Sequence, residues 1–326
     1  MTQRQTNTAA FLVGLSPLLH VVPGAQVRAL GGAGWLGCAV ALPVLLALGA
    51  GLQKRTSRQP GRLLSFVLAL WLAASAAAVL HGCAARYDTA VGVFRTTVPY
   101  AVLLLLTAVP AALSREKALF RVSEIFLPVV LALLALGLGS AIREIHFARL
   151  IDFSQVTLRS VLQASLPVFA VGCAALVLPR IFAGAQPGAG TGAGLCALAA
   201  VVCAATVGML GAPLTERLEL PVFTMLRNTS LLHTVERLDA LVAAVWILPD
   251  VTVLTLLLRA CGNCAGCALS IPNQTHTTLG AAAVAAGGAA LILAYDRTLT
   301  PIIVTALALG AVAIALACLI CKHAPT

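Results

Sequence analysis

The chain has 326 residues, of which 60% are hydrophobic and 10% charged, and its mean hydropathy is +1.00. Such a composition excludes an ordinary soluble domain. The net charge of +10 sits on Arg and Lys between apolar runs, where it orients a membrane protein and does not point to nucleic acid.

Apolar runs recur along the whole length and predict an all-α polytopic membrane protein, because a spanning segment must satisfy its own backbone hydrogen bonds. About ten transmembrane helices are expected, in a single transmembrane domain over residues 1–326. The first, residues 8–28, contains Gly14, Ser16, Pro17, His20, Pro23 and Gly24 and is expected to be interrupted. The second, 33–52, ends at Lys54, Arg55, Arg58 and Arg62, a basic cluster that places this loop in the cytoplasm.

The third span, 63–82, carries Trp71 and Ser75, and a joint with Arg86, Asp88 and Arg95 follows it. The fourth is 97–113. The fifth, 118–140, opens with Arg121 and Glu124, one turn apart and expected to form a local ion pair. After a joint at 141–157, the sixth span, 158–182, holds Gln163, Ser165, Pro167 and Gly172 and is the second candidate for interruption. A glycine-rich connector at 184–194 leads to the seventh span, 195–214, and to an outer segment, 215–233, with room for a short surface helix.

The eighth span follows the polar step Glu236-Arg237-Leu238-Asp239 and ends near Arg259. Glu236 and Asp239 share a helix face, where they complement the helix dipole or hold a neighbouring segment. Trp246 reads as an interfacial anchor. The ninth and tenth spans are 277–295 and 299–321.

Interruptions in the first and sixth of ten spans have the form of two inverted five-helix repeats, about 8–140 and 158–321, with a midplane site between them. Ser16, Pro17, His20, Trp71, Ser75, Ser165 and Gly172 are the candidate ligand-binding residues. His20 reads either as a pH-sensitive ligand contact or as a hydrogen-bonded packing residue. Cys261, Cys264 and Cys267 form a C-x-x-C-x-x-C that could hold zinc or a cluster with a fourth ligand such as His276; a small-residue loop is the alternative, and no metal site is assigned. No hydrolase triad, carboxylate pair or phosphate-binding loop is present, so neither an enzyme nor a cofactor is expected.

Several of these motifs occur together in a known order. Pro221, Arg227 and Ser230, then Glu236-Arg237-Leu238-Asp239 and Trp246-Ile247-Leu248, resemble the corresponding stretch of the GerAB-type B subunits of spore germinant receptors. Ala33-Gly34-Trp35 is similar to the step opening that family's second helix, and Arg121-Val122-Ser123-Glu124 with Pro128 to the step opening its fifth. The chain departs from the pattern at Ser16-Pro17-Leu18-Leu19-His20, where a glycine-containing turn is usual, and at Ala170-Val171-Gly172-Cys173, which carries no charge.

The resemblance implies the ten-helix fold of the amino acid-polyamine-organocation transporter superfamily. It also implies a receptor subunit in the spore inner membrane or cell membrane that senses a small nutrient such as an amino acid. Its partners would be an A-type membrane subunit and a lipoprotein C-type subunit. Arg121, Glu124, Glu236, Arg237 and Asp239 would then be structural or coupling residues. An amino acid permease of the same superfamily is the alternative.

Overall fold

A computed structural model describes residues 2–53, 61–91, 96–182, 186–218, 220–228, 238–271, 273–294 and 310. It is helical, with no strand among the described residues. The helices are α1 Gln3–Leu30, α2 Leu36–Gln53, α3 Arg62–Val91, α4 Val98–Ala112, α5 Glu116–Ala141, α6 Leu158–Val177, α7 Gly190–Leu210, α8 Ala212–Arg217, α9 Pro221–Asn228, α10 Leu238–Leu269 and α11 Gln274–Ala294. Among the described residues eight helices are long and apolar enough to cross a membrane. α4 is apolar but shorter, and the predicted tenth span lies outside the described residues apart from Gly310.

The two expected interruptions are absent. α1 runs unbroken through Pro17 and Pro23, opened by a Thr2 capping box with Gln5 and closed at Gly31, whose positive φ of 58° suits glycine. Each proline removes one backbone bond and leaves a carbonyl four residues earlier, at Val13 and Leu19. Both of those residues are buried, so neighbouring helices cover the defect and the chain stays helical. α6 likewise continues through Pro167 to Val177 before a short 3₁₀ turn, Leu178–Ile181.

Two further boundaries move. α3 extends to Val91, well past the expected end at Gly82, so Arg86 and Tyr87 belong to a helix instead of a joint. α10 extends to Leu269 and carries the three cysteines on helix, not on a loop. The outer segment holds two short helices, and α9 is more than a surface element: Val222, Met225 and Leu226 are buried and it packs on α1, α5, α7 and α10.

One cluster of buried apolar side chains draws on α1 to α7 and on α9, α10 and α11. α1 lies along α6, α7 and α5, and α10 lies along α3, α11, α4 and α5. Small residues permit the closest approaches: a Cβ on Gly37 of α2 would come within 2.8 Å of the backbone of Ala164 in α6. At the end of α1, a Cβ on Gly32 would run into the carbonyl of Arg149 in the α5–α6 joint.

Side-chain bonds fix the direction of α10. Thr255 Oγ1 donates to the Ala108 carbonyl at 3.4 Å, Arg259 Nη1 to the Ala112 carbonyl at 3.2 Å, and Asn263 Nδ2 to Glu116 Oε1 at 3.0 Å. Each step is four residues on both sides, so α10 runs parallel to α4 and the start of α5. Against α3 it is antiparallel, since Arg86 meets Asp250 while Cys261 Sγ meets the Ala69 carbonyl.

Candidate functional site

Three helices meet at a buried carboxylate. Asp250 follows Pro249 inside α10, and its side chain is fully enclosed. Arg86 Nη1 of α3 donates to Asp250 Oδ2 at 2.7 Å, Tyr87 Oη to the same oxygen at 2.8 Å, and Ser16 Oγ of α1 to Oδ1 at 2.7 Å. Arg86 Nη2 reaches Cys83 Sγ at 3.1 Å, and its guanidinium carbon lies 5.6 Å from the centroid of the Tyr87 ring. Tyr87 in turn faces Tyr100 at the start of α4, with centroids 6.5 Å apart.

Helical spacing explains why these residues converge. Cys83, Arg86 and Tyr87 lie at i, i+3 and i+4 and share one face of α3. Ser16 and His20 are one turn apart on α1, as are Trp246 and Asp250 on α10. Because α1 and α10 run in opposite directions here, Ser16 pairs with Asp250 while the His20 and Trp246 rings meet one turn away, with centroids 6.5 Å apart. Moving a carboxylate and a guanidinium out of water costs several kcal/mol per ion, roughly, and only close pairing with further hydrogen bonds offsets it. Asp250 has three such donors.

Some nitrogens at this junction stay unmatched. Among the described residues, Arg86 Nε and Trp246 Nε1 are buried without a hydrogen-bond partner, and the buried His20 ring has only the Ser16 carbonyl, one turn back, within its reach. Trp246 is only 5% exposed, so it is not an interfacial anchor; its helix starts at Leu238 and its ring turns inward onto α1.

Of the residues expected to bind ligand, Ser16 and His20 belong to this junction, and Pro17 stands beside them, partly exposed. Trp71 and Ser75 share α3 with Arg86, but 15 and 11 residues away, about 22 and 16 Å along the axis. Ser75 Oγ donates to its own helix at the Trp71 carbonyl, 2.8 Å, and Ser165 Oγ does the same at Leu162, 2.8 Å. Gly172 faces Leu45 of α2, whose two Cδ atoms would lie 2.6 Å from an added Cβ.

Glu124 is paired with Arg4 of α1, Nε to Oε1 2.9 Å, while Arg121 is exposed. Glu236 and Arg237 lie outside the described residues; Asp239 is described only as backbone of α10. Cys261 and Cys264 are buried in α10 and Cys267 is partly so. Among the described residues no group of His, Cys, Asp or Glu is arranged to hold a metal ion.

Sequence reasoning missed Arg86, Tyr87 and Asp250. A signal was present for the last: Asp250 is the only charge between Asp239 and Arg259, in the middle of an otherwise apolar run. An acid so placed inside a span marks a functional position by default.

The fold and this junction define a multi-pass, all-α integral membrane protein with a buried ion pair where three helices cross. Compared with known proteins, the chain matches no family model and no curated protein.

Proposed function

We propose that this protein binds a small zwitterion of the amino acid class at the α1–α3–α10 junction, as the membrane-embedded B-type subunit of a spore germinant receptor. The observation that carries the binding part is the buried Arg86–Asp250 pair. Two opposite charges held at 2.7 Å inside a membrane protein can exchange partners with a ligand that brings the same two charges. The ligand carboxylate would take Arg86, whose Nε is already unmatched, and its ammonium would take Asp250 with Ser16 beside it. Exchange loosens α3 from α10 without leaving a bare charge, which gives ligand binding a differential effect on helix packing.

The receptor part rests on the resemblance at residues 221–250, 33–35 and 121–128. It brings the A-type and lipoprotein C-type partner subunits and a place in the spore inner membrane or cell membrane. The arrangement in two five-helix units belongs to this proposal too. In its favour, α1 lies along α6, and α10, the eighth span, lies along α3, which are the helices in corresponding positions of the two halves.

A permease is the second reading, and one observation favours it. Proton or ion coupling needs an ionisable group inside the span, and Asp250 is one.

The test is thermal stabilisation of the purified full-length protein by amino acids, since a ligand that binds the folded state raises its apparent stability, by about 2.7 kcal/mol at a hundred times Kd. Selective stabilisation that disappears when the ligand's ammonium is acetylated or its carboxylate esterified supports zwitterion exchange. Equal stabilisation by the blocked compounds, or none by any amino acid, defeats it. Uptake of the stabilising amino acid into proteoliposomes would decide for the permease.

A further inference from the structure

Around the Arg86–Asp250 pair, three side chains hold buried nitrogens with no partner among the described residues: Trp246 Nε1, Arg86 Nε and, on His20, the ring nitrogen that is not turned to the Ser16 carbonyl one turn back. Nearly all buried polar groups in folded proteins find a partner, and several unmatched ones at a single crossing point call for a group from outside the chain. Trp246 and Arg86 are 5% and 4% exposed, so neither is matched by bulk water.

The nitrogens fall into two layers. Arg86 Nε lies with the ion pair. Trp246 and His20 lie one helical turn away, about 5–6 Å along the axes, toward the C-terminal end of α1 and the N-terminal end of α10. An amino acid whose α-carbon substituents engage the ion pair would extend its side chain toward this second layer. An indole N–H only donates, whereas a neutral imidazole offers one donor and one acceptor.

We propose that Trp246 and His20 form the subsite for the ligand's side chain, and that it takes an amino acid ending in an amide in preference to an aliphatic one. The amide oxygen accepts from Trp246 Nε1–H and the amide N–H donates to the unprotonated nitrogen of His20. This rests on the zwitterion reading of the Arg86–Asp250 pair. An aliphatic side chain of the same shape leaves both polar groups buried and unmatched, and sites built to hydrogen-bond a ligand reject such analogues strongly.

Asparagine and leucine have the same branching pattern, which makes them the probes. On the full-length protein, thermal shift titration is expected to give asparagine a Kd roughly ten- to a hundredfold below that of leucine. Trp246→Phe keeps an aromatic ring but removes the donor, and should bring the two within a few-fold of each other while alanine, which does not reach the subsite, binds as before. Leucine binding as tightly as asparagine to the unaltered protein would overturn the subsite. So would an unchanged asparagine-to-leucine ratio in Trp246→Phe that still binds alanine. If no amino acid stabilises the unaltered protein, the zwitterion reading fails and the subsite with it.

Discussion

Arg86 Nη1 lies 2.7 Å from Asp250 Oδ2, with the two side chains 4% and 0% exposed. The pair joins α3 to α10, and Ser16 ties the other carboxylate oxygen to α1. Removing one partner leaves a buried, unpaired charge, which typically costs about 3–5 kcal/mol. Asp250→Leu and Arg86→Leu are therefore each expected to lower thermal stability sharply. Asp250→Leu combined with Arg86→Leu should recover much of the loss, because no charge then remains buried. A double-mutant cycle in thermal unfolding measures this, and additive single effects would contradict it.

Gly172 presses against Leu45, so bulk at this position acts on the α2–α6 contact. Gly172→Leu should destabilise the protein by about 1–3 kcal/mol through overpacking. Adding Leu45→Ala should restore part of it by returning volume. Thermal unfolding of the single and double variants measures this, and a double variant no more stable than Gly172→Leu would reject the clash with Leu45.

Arg259, inside α10, draws together the ends of three other helices. It donates to the Ala112 carbonyl at the end of α4 at 3.2 Å and to Gln274 Oε1 at the start of α11 at 2.9 Å, and its Nε lies 3.8 Å from Glu116 Oε1 at the start of α5. Gln274 also donates to Asn263, which donates to Glu116. Arg259→Met keeps the stem and removes the donors, and is expected to cost about 1.5–3 kcal/mol, the range for hydrogen bonds to charged groups. Hydrogen exchange should rise at the α4–α5 joint and the start of α11. Exchange confined to residue 259 would show that Arg259 does not hold these ends.

Outside the spans, the Ser154 hydroxyl and then the Ser154 backbone N–H hold the carboxyl of exposed Asp152 below its usual range. A depressed folded-state pKa contributes stability above the unfolded value and loses it as pH falls through the folded value. Ser154→Ala removes the larger of the two causes, so the Asp152 midpoint should rise toward that of a free aspartate. Carboxyl carbon chemical shifts across an acid titration read it directly, and an unmoved midpoint would reject the assignment.

Composition and apolar patterning determined that this is a helical, multi-pass membrane protein. They placed most spans within a few residues, because a segment in lipid can only be a helix or part of a closed barrel. α2, α5 and α11 begin and end close to their expected limits. Proline and glycine in the first and sixth spans suggested breaks, yet α1 and α6 are continuous: whether a freed carbonyl disrupts a helix depends on what covers it, and the covering residues come from other helices. Arg86 looked like part of a joint for a related reason. A charge near the end of an apolar run reads as interfacial until a partner inside is known, and its partner, Asp250, lies 164 residues away. The same holds for Trp246, whose inward turn onto His20 depends on α1 running antiparallel to α10. Local chemistry thus decides which segments become helices, and only the packing of distant helices decides which of their polar residues meet.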